Sequence, residues 1–84
     1  MYNYIEGNIT DKNELGIVLF VMGIGYNIVV PDRNRYKIGD KTTVYIYTHA
    51  VENECTLYGF TTREERDLFY TCFFNELHKI KEFL

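Results

Sequence analysis

The chain passes from a strand-like segment to a helix-like segment within a few residues near its end. Residues 57–60 are Leu-Tyr-Gly-Phe, a group that favours strand, and residues 65–69 are Glu-Arg-Asp-Leu-Phe. Thr62 stands three residues before Glu65, which is the spacing of a capping box at a helix N-terminus. The sequence therefore predicts a strand followed at once by a helix, which begins near Arg63 and runs to near the chain end.

Four earlier segments also have the composition of strands. They are rich in β-branched and aromatic residues and are separated by polar or glycine-containing stretches. The predicted strands are 2–9, 15–22, 26–30, 42–51 and 55–60, with turns at 11–14, 23–25 and 52–54. The polar stretch 32–41 is predicted to be a loop that holds at most one short helical turn, around Arg33 to Tyr36.

Five short strands followed by a helix predict a mainly β fold, namely a five-stranded OB-type β-barrel with a C-terminal α-helix. Residues 1–61 are expected to form the barrel. Residues 62–84 are expected to form a helix that packs on the barrel or on a neighbouring chain. OB barrels usually carry their helix between the third and fourth strands, whereas the clear helix here comes last. An SH3-like barrel is therefore the nearest alternative from the residues alone.

The charge of the chain limits its partners. The 84 residues carry a formal net charge of −3. A domain that grips nucleic acid by itself usually has a basic face, because phosphate contacts supply most of the affinity. The composition therefore argues against strong DNA binding by this chain alone.

No catalytic, cofactor or metal site is predicted. The chain has no serine and no glycine-rich loop of the kind that cradles nucleotide phosphates. Its cysteines and histidines lack the close pair spacings of a metal site; they are Cys55, Cys72, His49 and His78. The cysteines are interpreted as buried, reduced thiols. The absence of a signal-peptide pattern and of a bilayer-length apolar run favours a cytoplasmic protein with no membrane partner.

One basic cluster is a candidate DNA-binding site. The predicted loop 32–41 contains four basic residues and two aspartates, so its net charge is four minus two, or +2. The basic residues are Arg33, Arg35, Lys37 and Lys41. They are suited to contact phosphates. The alternative is a solvated turn on a charged surface.

The predicted fourth strand places Tyr45, Tyr47 and His49 on one face. Aromatic side chains on an OB sheet can stack on bases. The alternative, which we favour, is packing between strands or at an interface.

The predicted helix has more apolar surface than one small barrel needs. Its stripe at helical spacing consists of Leu68, Phe69, Cys72, Phe73, Leu77, Ile80 and Leu84, with Tyr70, Phe74 and Phe83 beside it. Exposed apolar area of this size favours association. We therefore expect the helix to contact a neighbouring copy as well as its own barrel.

Several ordered stretches resemble the first domain of RuvA, the bacterial family that binds four-way Holliday junctions. They are Tyr4-Ile5-Glu6-Gly7, Gly23-Ile24-Gly25-Tyr26 followed by Val30-Pro31, Tyr47-Thr48-His49 with Val51, Leu57-Tyr58-Gly59-Phe60, and Glu65-Arg66 with Leu68-Phe69. The resemblance implies an OB barrel that leads directly into a C-terminal helix. It also implies branched DNA as a partner and a homo-oligomer, a tetramer in the family.

The resemblance implies one site, on the hairpin between the last two strands, and the chain departs from the family in several places. The family has an adjacent Glu-Asp pair, the acidic pin, on the hairpin between its last two strands. This hairpin is shorter here, and Glu52 and Glu54 are the pin-like residues. Residues after Tyr70 do not resemble the family's helix-hairpin-helix DNA-binding motifs, and a RuvB-like motor contact would need a longer chain. The sequence fits either a stand-alone protein or a fragment.

Two functions are consistent with these features. The first is a RuvA-like OB module, without catalysis of its own, that takes part in recognising branched DNA during recombination and repair. The second is an oligomerising protein-interaction module that has lost DNA binding.

Overall fold

Strand-forming and helix-forming residues occupy the elements that the sequence indicated. The computed structural model describes residues 2–82, and it describes side chains as far as Cys72. The strands are β1 (Tyr4–Lys12), β2 (Gly16–Val21), β3 (Ile24–Val29), β4 (Lys41–Val51) and β5 (Glu54–Phe60). A short 3-10 turn covers Arg33–Arg35, and helix α1 covers Arg63–Glu82.

The five strands close into a barrel in the order β1-β2-β3-β5-β4, with β4 returning to β1. Neighbouring strands are antiparallel except β3 and β5, which are parallel. The predicted mainly β, five-stranded OB-type barrel followed by a C-terminal helix is confirmed. The connection between β3 and β4 holds only the short turn at Arg33–Arg35, as predicted. The predicted boundary between residues 61 and 62 falls in the connection between β5 and α1.

Strand β1 is longer than predicted because it serves two neighbours. Its first half, from Tyr4 to Asn8, pairs with β4 and its second half, from Asn8 to Lys12, pairs with β2, and a bulge between Ile9 and Asp11 interrupts the pairing with β2. Asp11 and Lys12 therefore belong to the strand, although the sequence placed both in a turn. The turn itself is closed by Asn13, whose side-chain oxygen accepts hydrogen bonds from the backbone N–H groups of Leu15 and Gly16 at 3.0 and 2.9 Å.

The turn between β2 and β3 also differs from the prediction. Val21 pairs with Ile24, so the turn consists of Met22 and Gly23, with φ of 49° and 87°. Two central residues at positive φ are the requirement of a type I′ hairpin turn, which matches the right-handed twist of the strands. Gly25, which the sequence placed in the break, lies inside β3.

The core fills the barrel with aliphatic side chains from alternate strand positions. Its buried hydrophobic residues are Ile5, Ile9, Ile17, Leu19, Ile28, Val30, Tyr36, Val44, Ile46 and Phe60. Full burial of one such side chain contributes about 1.5–3 kcal/mol. Tyr36 enters the core from the connection after β3. Its hydroxyl has no hydrogen-bond partner among the described residues, and burial raises the pKa of its phenol.

Helix α1 begins as the capping pattern predicts and lies on the outer face of β4 and β5. The Thr62 hydroxyl oxygen accepts a hydrogen bond from the backbone N–H of Glu65 at 3.1 Å. The Phe69 ring lies 5.1, 5.6 and 5.9 Å from the rings of Phe60, Tyr58 and Tyr47.

The predicted apolar stripe of the helix is divided by the structure. Phe69 packs on the barrel, whereas Leu68 is 67% exposed and Cys72 is also exposed. Leu68 thus lies off the face that packs on the barrel, and the interpretation of the cysteines as buried is wrong, because Cys55 and Cys72 are both exposed. The remaining members of the stripe lie outside the described side chains.

The strand directions sort the turns into two ends of the barrel. Strands β1, β3 and β5 begin at the end where β2 and β4 finish. The β2–β3 and β4–β5 turns therefore lie at one end, which we call the hairpin end. The β1–β2 turn, the connection 30–40 and the start of α1 lie at the opposite end, which we call the loop end.

Candidate nucleic-acid interface

The β4–β5 hairpin extends beyond the barrel wall at the hairpin end. Its last three residue pairs are His49 with Thr56, Ala50 with Cys55, and Val51 with Glu54. Pairing of β1 with β4 stops at Tyr45, apart from one hydrogen bond from Ile46 N–H to the Asn3 carbonyl, and pairing of β3 with β5 begins only at Leu57. Among the described residues, this outer segment is therefore a two-stranded ribbon without a third strand.

The tip of this ribbon carries the two pin-like carboxylates. Glu52 and Asn53 form the turn, with Glu52 at φ 44°, and Glu54 is the first residue of β5 rather than part of the turn. Both glutamates are exposed. Within the part of the chain that the structure describes, neither carboxylate forms an ion pair. Two like charges at an exposed tip repel any phosphate that approaches it.

The two ends of the barrel differ in charge. Residues 2–11, 13–32 and 42–62 contain no lysine or arginine. Among the residues whose side chains are described, the basic ones lie at the loop end or in the first turn of α1; they are Lys12, Arg33, Arg35, Lys37, Lys41, Arg63 and Arg66. Arg66 reaches back to the start of β1, where its guanidinium donates to the backbone oxygen of Asn3 at 2.9 Å. The tip of the β2–β3 hairpin is therefore apolar, the tip of the β4–β5 hairpin is acidic, and neither hairpin tip contains a lysine or arginine that could bind a phosphate.

Three of the four predicted phosphate-binding residues contact their own chain. The Arg33 guanidinium donates to the backbone oxygen of Asn13 at 2.8 Å, Arg35 forms a 3.2 Å ion pair with Glu65, and Lys41 forms a 3.2 Å ion pair with Glu6. The first two contacts tie the connection 30–40 to the β1–β2 turn and to α1, and the third links the start of β4 to β1. Exposed pairs of this kind are weak, at about 0–1 kcal/mol each, so they leave the cations accessible to a stronger anion. Lys37 is exposed, and the structure gives it no ion pair among the described residues.

The aromatic face of β4 is occupied mainly by packing. The Tyr47 ring lies 6.2 Å from that of Tyr58 and 5.5 Å from that of Tyr70 on α1. Desolvation, followed by the neighbouring hydroxyls of Tyr70 and Tyr58, raises the Tyr47 pKa. His49 continues the row beside Tyr47 at 6.3 Å. This geometry agrees with the packing interpretation of the face.

Sequence reasoning missed two features near these sites. Arg63 and Arg66 lie 5.8 and 5.9 Å from the centre of the Tyr45 ring, within the range of a cation–π interaction. At the hairpin end, Met22 is 95% exposed. No sequence pattern signals the contacts of the two arginines, because these contacts join α1 to β4, which are separate along the chain. The signal for Met22 was its place directly before Gly23 in a tight turn.

The described residues offer neither a metal site nor a membrane-spanning helix. Those residues contain no group of three or more His, Cys, Asp or Glu side chains that could hold a metal ion. No helix among them has both the length and the apolar composition needed to cross a membrane.

Comparison with known proteins gives one consistent result. Residues 1–59 match the family described as the RuvA N terminal domain. The chain is 42% identical over 72 residues to a protein of Halothermothrix orenii, covering 84% of this chain and 37% of that protein. It is 45% identical over 69 residues to a protein of Lactobacillus delbrueckii subsp. bulgaricus, covering 82% of this chain and 35% of the relative. A protein of Acholeplasma laidlawii is 44% identical over 69 residues, with coverage of 82% and 37%.

All three relatives are named "Holliday junction branch migration complex subunit RuvA". The chain spans little more than a third of the length of these relatives.

Proposed function

The chain belongs to the RuvA N-terminal domain family, and we propose that it acts as the OB module that faces the branch point of a Holliday junction during recombination and repair. In this role it is a DNA-binding subunit without catalysis of its own. The observation that carries the proposal is the acidic ribbon tip, where Glu52 and Glu54 are exposed on a hairpin that contains no lysine or arginine between residues 42 and 60.

The ribbon tip would act by repelling DNA phosphates rather than by binding them. A carboxylate about 4 Å from a phosphate is repelled by about 1 kcal/mol in water, and by more where water is displaced. Duplex backbones are therefore disfavoured near Glu52 and Glu54, whereas a branch point, where four strands diverge, leaves a gap between backbones. The tip thus favours branched DNA over a continuous duplex.

Affinity has to come from other surfaces. Lys37 with Arg33, Arg35 and Lys41 at the loop end would add modest phosphate contacts, so binding by this chain alone is expected to be weak. Parts of a longer protein, including any contact with a RuvB-like motor, would supply the rest.

Association of several copies would multiply weak contacts and place several acidic tips around one branch point. Leu68 and Tyr70, which are 67% and 49% exposed on α1, offer apolar area for such a contact. We propose a homo-oligomer, with four copies as the expected number because a four-way junction presents four equivalent arms.

The experiment is a gel-shift comparison of a four-way junction and a linear duplex of the same total length. We expect the double variant Glu52→Gln, Glu54→Gln to bind the junction about tenfold more tightly than the parent, because two repulsive charges are removed without a change of shape. The control is Glu14→Gln, Glu64→Gln, which makes the same change in net charge at the loop end and at the start of α1. It should change junction binding less than the tip variant does.

Unchanged or weaker junction binding by the tip variant would contradict an exclusion role for the hairpin. A parent chain that binds neither DNA but sediments as an oligomer would favour the second function, an interaction module without DNA binding. The observation that favours this second function is the engagement of Arg33, Arg35 and Lys41 within the chain.

A further inference from the structure

The β2–β3 turn presents an apolar tip to solvent. Met22 is 95% exposed, and its neighbours Ile24 and Phe20 are 54% and 41% exposed. The tip is thus a small apolar projection, flanked by two further apolar side chains, that makes little contact with the rest of the chain.

The backbone shows that folding alone does not account for methionine at this position. Met22 has a φ of 49°, a left-handed conformation that side chains with a Cβ adopt only at a cost. Asparagine or glycine before Gly23 would form the same turn more readily. The methionine is therefore held outward, in a conformation that disfavours it, without compensating burial.

The position of the tip indicates what it can contact. It lies at the hairpin end, as does the ribbon tip with Glu52 and Glu54, and neither of these two hairpins contributes a lysine or arginine to this end. The surface formed by the two tips therefore has no cationic side chain of its own for a phosphate. Its apolar projection is complementary to the faces of bases, which are the apolar part of nucleic acid.

Bases become accessible where strands change partners. A base pair next to a branch point lacks a stacking neighbour on one side when the arms open, whereas base pairs inside a duplex have neighbours on both sides. Methionine and isoleucine are among the side chains that proteins place against exposed or partly unstacked base steps.

We propose that Met22, supported by Ile24, packs against the base pair that is exposed at the branch point and so stabilises the open junction. This inference rests on the proposed function. It assigns the β2–β3 turn a role distinct from that of the acidic ribbon: the ribbon excludes backbones, and Met22 covers the bases that strand separation exposes.

The test uses the whole 84-residue chain and a four-way junction with 2-aminopurine beside the branch point. The main variant is Met22→Asn, which creates the Asn-Gly pair that type I′ turns prefer and should therefore be at least as stable to urea as the parent. We expect about tenfold weaker junction binding, the loss of a typical stacking contact, with unchanged duplex binding. The change in 2-aminopurine fluorescence at saturation should fall to less than half that of the parent.

Two further variants sharpen the result. Leu15→Asn makes the same chemical change at the loop end, where Leu15 is 70% exposed, and should behave as the parent does. Met22→Leu keeps an apolar tip and should retain the parent's fluorescence change.

Parent-like affinity and fluorescence in Met22→Asn overturn the inference while leaving the proposed function intact. A change in sedimentation of Met22→Asn without DNA, with the fluorescence response kept, also overturns it and makes the tip a contact between copies. A parent chain that shows no preference for the junction removes the proposed function, and the inference fails with it.

Discussion

Close contacts at three glycines, Gly7, Gly16 and Gly59, determine how tightly the barrel packs. A Cβ on Gly16 would lie 1.9 Å from the backbone oxygen of Ile28, and a Cβ on Gly59 would lie 2.5 Å from the Ile28 and Val44 methyl groups. The first contact is with backbone in the paired strand β3, which cannot move without breaking the ladder. The absence of a side chain at residue 16 is therefore required by space.

We expect Gly16→Ala to lower the free energy of unfolding by about 2–3 kcal/mol or more, because the added methyl group forces strands β2 and β3 apart. Urea denaturation measures this loss. Gly25→Ala is the matched control in the facing strand, since its Cβ would lie 3.3 Å from a Val18 methyl group, which can shift. Equal losses in the two variants would show that strand propensity rather than space is responsible.

The sequence could not separate these roles of glycine. It placed Gly23 and Gly25 together in one turn, but only Gly23 has a positive φ, and Gly25 faces Phe20 across a regular ladder. Glycine permits a left-handed turn and also a close approach, and a local pattern does not distinguish the two.

Among the elements, the start of α1 shows how a helix is fixed to a barrel. The Glu65 carboxylate accepts a hydrogen bond from the Thr61 hydroxyl at 3.1 Å and forms the ion pair with Arg35. Desolvation acts to raise the pKa of Glu65, but the hydrogen bonds from Thr61 and Arg35 outweigh it and lower the pKa below the usual 4.5. The folded state therefore stabilises the ionised form of Glu65 relative to the unfolded state.

This pKa shift predicts a specific acid sensitivity. Because the pKa is lower in the folded state, the stabilisation is complete above about pH 4.5 and is lost as the pH falls through the folded pKa. Glu65→Gln should unfold more readily than the parent at neutral pH, and the difference should shrink under acid. Urea titrations at about pH 7 and pH 3 measure it. The control is Glu64→Gln, which removes a charge one residue away. If its stability difference from the parent shrinks equally under acid, the effect is due to net charge rather than to the contacts of Glu65.

Most elements were predictable because their signals are local. The helix start at Arg63 depends on residues within four positions of it, and the strand around Tyr47 on its own composition. The extension of β1 through Lys12 was not predictable, because it depends on pairing with β2 that continues beyond a bulge between Ile9 and Asp11. The exposure of Leu68 depends likewise on the angle at which α1 meets the barrel.

Across the described part of the molecule, the candidate phosphate-binding residues lie at the loop end, and the two hairpin tips contain no lysine or arginine. The candidate phosphate-binding residues were identified from their proximity in sequence, and the ion pair between Arg35 and Glu65 could not be seen there. Partners from distant elements decide how much of each cation is available to DNA. The amino-acid sequence shows that these basic residues are clustered, but the residues that contact them are seen only in the closed barrel.

These contacts predict different effects for two basic residues of the loop end. Lys37→Ala should weaken duplex and junction binding alike and reduce the slope of log affinity against log salt by about one, with unchanged stability. Arg33→Ala should do the same and also lower stability, because Arg33 donates to the Asn13 carbonyl. Fluorescence anisotropy across a salt series, with urea denaturation alongside, measures both. A salt slope that stays the same in Lys37→Ala would exclude this loop from DNA binding.

The barrel is joined along β3 and β5 by only two residue pairs, Ile28 with Leu57 and Val29 with Tyr58. The other four seams are longer and link segments that are closer in sequence, except the seam between β1 and β4. The hydrogen bonds between β3 and β5 are thus the ones whose loss would open the barrel and leave its antiparallel hairpins intact as an open, curved sheet. Amide protons along the β3–β5 seam should exchange with solvent earlier than those between β1 and β2, and thermal breathing of the molecule would begin there.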